Sequence, residues 1–368
     1  MSGTVGRNRL LQLRLGAQLI RNDGGARPSV RDVVERLLAM QAQDFNQALW
    51  AVGLRSPGST RDEVLAALQR GDIVRSWPMR GTLHFVLPAD LRWLLRLTTD
   101  RLVAGAAARH RELGLDRATL ERARGVALTV LAGGGQLGRN EFLSALNAAG
   151  IDTTSQRGYH LIWYLAQTGT LCWGPPAGSQ QALVLLDEWV PSGTQPDREE
   201  ALGRFVLGYF TGHGPATLRD FVWWSKLTVA DAKAGLALAR SHLTELICND
   251  ITYWVATARF EDLPRTSGMV LLPAFDEYVI GYQDRSPVLA PKDAQLIVPG
   301  GNGVFRPTVV TNGRVAGTWH RSADRSGGPV ANPFESMTAR DERAFLEAGR
   351  SYERFIGARK SRCQPGPE

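Results

Sequence analysis

The sequence predicts a mixed α+β protein in which helices followed by a β-hairpin recur three times, ahead of a strand-rich C-terminal part and a last helix. Three observations predict it. In three successive stretches, apolar residues at helical spacing give way to short β-branched and aromatic runs bounded by Gly, Pro, Asn or Asp. From about Met269 the texture changes to closely spaced strands, with Asn312-Gly313 as a strong hairpin turn. At 368 residues the chain is long for one domain and suits two or three compact units.

The first stretch opens with an amphipathic helix over residues 7–20, closed by the turn Asn22-Asp23-Gly24-Gly25. A second helix over 29–40 takes Ser29 as its N-cap, and its stripe of Val30, Val34, Leu37 and Leu38 ends in Gln41. Gln43 follows, and Asp44 with Gln47 reads as a capping box opening a third helix on Phe45, Ala48, Leu49 and Val52. Residues 60–70 form another helix with Thr60 and Glu63 as its box. Strands at 73–78 and 82–87 flank the turn Met79-Arg80-Gly81.

Helices at 91–113 and 119–131 bridge to a second version, with helices at 138–149 and 154–167 and strands at 170–174 and 181–186. A third version has helices at 198–211, 215–224 and 228–240, then strands at 244–248 and 252–257 around Asn249-Asp250. Helices leading into a hairpin make a winged helix. The expectation is therefore three tandem winged helices, over residues 1–115, 116–195 and 196–262. Residues 263–368 carry strands at 269–273, 279–282, 295–298, 305–311 and 314–319, expected to form a small β-barrel or curved sheet. A helix over 339–359 packs back through Phe345, Tyr352 and Phe355, and residues 361–368 are expected to fray.

Charge is unevenly placed. Residues 1–124 hold twenty Arg and no Lys against twelve acidic residues, whereas the remainder holds twenty-three basic against twenty-four acidic residues. The whole positive excess thus sits in the first third, as expected for a phosphate-backbone partner; an arginine-rich genome would also write Arg wherever a cation is tolerated. No apolar run approaches the roughly 20 residues of a membrane span, and the N-terminus lacks a cleavable signal. Cys172, Cys248 and Cys363 offer no Cys-x-x-Cys pair, which fits the cytoplasm and predicts neither metal nor cofactor.

The pair Gln41 and Gln43 needs explaining. Two residues apart in a helix they would diverge, but in an extended link they share a side. A buried primary amide left unpaired costs about 1–3 kcal/mol, so the amides either cap helix ends or serve a site. The surrounding blocks bear on the choice. Residues 39–55 (AMQAQDFNQALWAVGLR), 73–86 (IVRSWPMRGTLHFV), 271–285 (LLPAFDEYVIGYQDR) and 302–319 (NGVFRPTVVTNGRVAGTW) resemble, in order, the winged-helix DNA-binding superfamily. Its characterised members are the AlkZ-like and YcaQ-like DNA glycosylases. The resemblance implies a C-shaped array of three winged helices with a DNA-binding concave face. It also implies monofunctional excision of alkylated purines from double-stranded DNA, interstrand crosslinks included; a monomer is expected, since lesion repair needs no dimer. Gln-apolar-Gln is the catalytic signature of the AlkZ-like branch, which points to Gln41 and Gln43. Some such members protect producers of DNA-alkylating natural products. Many others are known only as DNA binders, so a non-catalytic winged-helix regulator, dimeric on a palindromic operator, is the alternative.

Two amides limit the chemistry. Glutamine has no useful pKa and cannot act as general base at neutral pH. An N7- or N3-alkylated purine is already cationic and leaves as a neutral base, so positioning a water and stabilising an oxocarbenium-like sugar suffices. Gln43 is expected to hold the water through its carbonyl oxygen, and Gln41 to orient it or touch the deoxyribose. Asp44 fits best as an N-cap, with a supporting carboxylate beside the sugar as its second candidate role. A lyase would need an amine, and Lys226, Lys233, Lys292 and Lys360 are all distant from the glutamines in sequence. Expected DNA contacts are Arg75, Trp77, Arg80 and His84 on the first wing, Arg157 on the second unit, and Arg306 in the C-terminal part.

Overall fold

A computed structural model of the chain describes residues 2–20, 26–178, 180–259, 268–322 and 327–357. The expected turn at 22–25, the tail at 361–368 and the boundary between 262 and 263 lie outside the described residues.

Helix Val30–Leu37 starts where its cap dictates: the Ser29 hydroxyl accepts from the Asp32 N–H at 3.1 Å, and the Asp32 carboxylate accepts from the Ser29 N–H at 2.8 Å. It ends earlier than its apolar stripe suggests. Leu38 adopts φ 61°, and residues Ala39–Gln41 leave as a strand instead of a last helical turn. The expected helix to Met40 is therefore corrected. The reason is tertiary, because these three residues pair antiparallel with Thr82–Val86, Gln41 facing His84. Strand alternation then sends Ala39 to one core and Met40 to another.

The strands are β1 (Ser2–Thr4), β2 (Ala39–Gln41), β3 (Val74–Met79), β4 (Thr82–Val86), β5 (Leu171–Ala177) and β6 (Gln180–Leu185). They continue as β7 (Leu243–Cys248), β8 (Ile251–Ala256), β9 (Met269–Leu272), β10 (Thr308–Thr311), β11 (Arg314–Arg321) and β12 (Pro329–Pro333). The three hairpins appear where expected. The first two merge into one five-stranded sheet, ordered β2-β4-β3-β5-β6, joined where Arg75 pairs with Trp173. The third hairpin gains β1 as a parallel neighbour of β7.

The C-terminal strands form an open antiparallel sheet ordered β12-β11-β10-β9, and none of the three sheets closes into a barrel. Two expected strands are short helices instead: Glu277–Ile280 replaces 279–282, and Ala294–Ile297 replaces 295–298. The β-branched Val279 and Ile280 suggested a strand, but Asp276 caps the turn through the Tyr278 N–H at 2.9 Å, and context overrides β propensity. Helix Ala339–Ile356 does pack back, against the open sheet and helix Phe45–Gly53. Tyr352 meets Trp50 and Trp319 edge-on at 5.3 and 5.0 Å between centroids. Gly53 is required there, since a Cβ would collide with the Phe355 ring.

Candidate active site

Gln41 ends strand β2, and the link continues beside β4 through Ala42, whose N–H donates to the Leu83 carbonyl at 2.7 Å, to Gln43. Gln41 is half-buried and Gln43 exposed. Each amide is oriented by an obligatory donor. Arg80 Nη2 donates to Gln41 Oε1 at 3.2 Å, and the Leu83 backbone N–H donates to Gln43 Oε1 at 3.1 Å. Because neither partner can accept, the oxygen is the end of each amide that meets its donor, which leaves the NH₂ groups for other partners.

The link between the glutamines is held from beneath by Arg75. Its Nε donates to the Ala42 carbonyl at 2.9 Å and its Nη2 to the Gln43 carbonyl at 3.3 Å, with Phe45 under the guanidinium at 5.1 Å. Burial lowers the Arg75 pKa to about 10, with Asp44 opposing the shift, so the group stays charged at neutral pH. Asp44 caps helix Phe45–Gly53 by accepting from the Gln47 N–H at 3.1 Å. The capping box is half made: the Gln47 side chain accepts from the Ala274 N–H at 3.0 Å instead. Thr60 likewise caps through the Glu63 N–H, while the Glu63 carboxylate pairs with Arg27.

Arg80 stands at the hairpin tip as expected, but its side chain folds inward. Its φ of 57° and that of Gly81 at 71° give the two-residue turn in which both central residues are left-handed. The guanidinium lies inside the protein, with Nη2 2.8 Å from His84 Nε2 and 3.7 Å from Glu277 Oε1. Since Arg can only donate, His84 Nε2 accepts, and its proton sits on Nδ1, which donates to the Thr82 carbonyl at 2.8 Å. Burial first, and the Arg80 charge second, push the His84 pKa down to about 3. His84 is thus neutral at physiological pH.

Glu277 completes the layer and was not anticipated. Its Oε1 accepts from the Gln41 backbone N–H at 2.9 Å, and its Oε2 accepts from Trp224 Nε1 at 2.8 Å and faces His213 Nε2 at 3.3 Å. Desolvation opposes its charge, but the His213 hydrogen bond and the Arg80 charge outweigh it and bring the pKa down to about 2. One signal could have found it. Asp276-Glu277 places two acids inside the apolar run LLPAFDEYVIGY, and buried carboxylates need partners.

The remaining expected contacts are scattered. Arg75, Trp77 and His84 are 5%, 2% and 0% exposed, so none presents its side chain at the surface. Trp77 packs edge-on against Tyr159 at 6.4 Å and near Trp173 at 6.3 Å. Arg157 holds its own unit together, donating to the carbonyls of Asp152 and Leu113 and pairing with the Asp152 carboxylate at 3.4 Å. Arg306 is exposed. A surface missed by sequence reasoning surrounds the half-buried Trp223, whose ring has Arg285 at 5.0 Å, Lys226 at 5.5 Å and Arg80 at 6.0 Å. A cavity of about 570 Å³ lined in part by Met269, Val288, Arg314 and Phe334 contains none of the candidate site residues. Among the described residues no helix is long and apolar enough to cross a membrane.

A family model described as "DNA glycosylase AlkZ-like" matches residues 34–355. The chain is 28% identical over 320 residues to an interstrand DNA cross-link repair glycosylase of Streptomyces sahachiroi, covering 79% of this chain and 82% of that relative. It superimposes on the solved structure of the Streptomyces sahachiroi DNA glycosylase AlkZ with a TM-score of 0.81 at 25% identity, covering 96% of this chain and 97% of that one.

Proposed function

The chain belongs to the AlkZ-like DNA glycosylase family, and from that premise we propose that it is a monofunctional glycosylase for cationic N7- or N3-alkylated purines in duplex DNA, bulky adducts and interstrand crosslinks among them. The single observation that carries the proposal is the pair of amides flanking Ala42, each oriented by a donor that cannot accept. Gln43 Oε1 keeps a second lone pair after accepting from Leu83. A water can donate one hydrogen to that lone pair and accept a hydrogen bond from the NH₂ of Gln41. Its remaining lone pair is then free to attack C1′ as the C1′–N bond breaks and the neutral base departs, and the protonated 1′-hydroxyl so formed releases its extra proton to solvent. No base is required, because the lesion supplies the positive charge. Asp44 acts here as a cap, and Arg75, Trp77, Arg80, His84 and Arg157 support the site and its neighbouring unit. DNA contacts fall instead to Arg306 and to the Arg285 and Lys226 surface around Trp223. The three winged helices form the duplex-binding face, and the activity serves repair or protection from a DNA-alkylating product.

Single-turnover release of N7-methylguanine from duplex DNA tests this. Wild type is expected to release it, and Gln43→Ala to be slower by about 100-fold, the scale of losing one positioned polar group. Release from no cationic lesion by wild type would sink the glycosylase reading. Equal release by Gln43→Ala and Gln41→Ala would spare the activity and remove the site. Excision of neutral hypoxanthine would contradict the leaving-group chemistry. Borohydride should trap no covalent adduct, a direct check on Lys226 as a lyase amine.

A further inference from the structure

An amide side chain is nearly symmetric in shape, so packing alone does not choose between its oxygen and its nitrogen; hydrogen-bond partners do. For Gln41 the described partner of Oε1 is Arg80. Arg80 is in turn loosely held. Its Nε is buried with no partner among the described residues, and its charge sits between Trp223 and Trp224 at 6.0 and 5.9 Å. The counter-charge in contact with it is Glu277, 3.7 Å away, whose same oxygen also accepts from the Gln41 backbone N–H. Glu277 therefore touches Gln41 twice, once directly at the main chain and once through Arg80 at the side chain. It is itself anchored by Trp224 and His213, on a turn capped by its neighbour Asp276.

We propose that Glu277 is a positioning residue for excision: with Arg80 it fixes which end of the Gln41 amide faces the DNA. Removing the carboxylate leaves the Arg80 guanidinium buried without its counter-charge, and an uncompensated buried cation moves toward water. Gln41 Oε1 then loses its donor, the amide can turn over, and the NH₂ group no longer meets the attacking water. Glu277 itself touches neither water nor DNA in this scheme. The inference rests on the glycosylase reading and adds to it the origin of the amide's orientation.

The test is a double-mutant cycle on single-turnover release of N7-methylguanine, with duplex affinity and thermal midpoint measured for every variant. Glu277→Gln is expected to slow release about 10- to 100-fold, the cost of a misplaced reacting group, while duplex affinity changes less than about twofold, because no DNA contact is removed. In a Gln41→Ala background the same substitution should change the rate less than about twofold, since its route runs through Gln41. A merely structural role would slow both backgrounds by the same factor, and that result would overturn the proposal. So would wild-type rates in Glu277→Gln. If Glu277→Gln loses its fold, Arg80→Lys answers the same question: it leaves Glu277 a cation but shortens the reach to Gln41, and should show the same epistasis. No release by wild type would overturn the glycosylase reading and this inference together, which separates that failure from the others.

Discussion

Asp276 and Glu277 are adjacent, both buried, and each is paired with an arginine from the N-terminal part of the chain, yet the two pairs are built differently. Arg55 uses all five of its N–H donors. Two go to the Asp276 carboxylate at 2.8 Å, two to the carbonyl and side-chain oxygen of Gln18 at 2.9 Å, and one to the Ala51 carbonyl at 2.9 Å. Arg80 has a buried Nε without a partner, stands 3.7 Å from Glu277, and directs one nitrogen to both Gln41 and His84. A saturated pair has one arrangement and serves the fold. An unsaturated pair beside a half-exposed glutamine can still be shared with a side chain that must act. Buried ions contribute little net stability unless fully satisfied, so the second pair adds less to the fold than the first.

The comparison can be broken, and stability is where the largest effect should appear. Asp276→Ala strands the Arg55 charge in the interior and should cost about 3–5 kcal/mol, read as a fall in the denaturant midpoint. Glu277→Gln should cost clearly less in the same measurement while slowing excision about 10- to 100-fold. Equal destabilisation by both substitutions would show that the two pairs do the same work.

Acid separates the pairs next. His84 touches only the Arg80 pair, and its folded pKa near 3 lies below the ordinary 6.5. The unfolded chain therefore binds this proton first, and stability falls as pH drops from about 6.5 toward 3, by about 1.4 kcal/mol per unit for one proton. Glu277, at about 2, adds the same sign of effect, but only below the ordinary carboxylate value of 4.5. The window from pH 7 to pH 5 thus separates His84 from Glu277, and His110 and His160, whose pKa values burial also lowers, act there equally in wild type and in a His84 variant. The thermal midpoint of wild type should fall more over that window than that of His84→Gln, and parallel slopes would remove His84 from the account. The smallest effect should come from Asp44→Ala, which removes a helix cap worth about 1 kcal/mol. If excision falls far more than that stability loss implies, Asp44 belongs beside the sugar and not only at the helix end.

Much of this was legible because it is local. Ser29, Asp44 and Thr60 each cap the helix that follows, a property of a few consecutive residues. The three hairpins follow from short alternating runs closed by turn residues. What misled was also local. Residues 38–40 continue a helical stripe, and 279–282 are β-branched and aromatic, yet each lies in the other conformation. For the first the deciding partner is remote in sequence, strand β4; for the second it is the cap that Asp276 places on the Tyr278 N–H, and Asp276 is itself held by Arg55, 221 residues away.

The same division holds at the site. By itself the sequence determined the family, the helix-and-hairpin order, and the presence of two glutamines one residue apart beside a wing, since each is written in a contiguous run. Only the tertiary structure decided that Arg80 turns inward, that the oxygens of Gln41 and Gln43 accept from Arg80 and Leu83, and that Glu277 stands behind Gln41. Orientation of an amide depends on which donor reaches its oxygen, and for Gln41 that donor, Arg80, is 39 residues away across the folded chain.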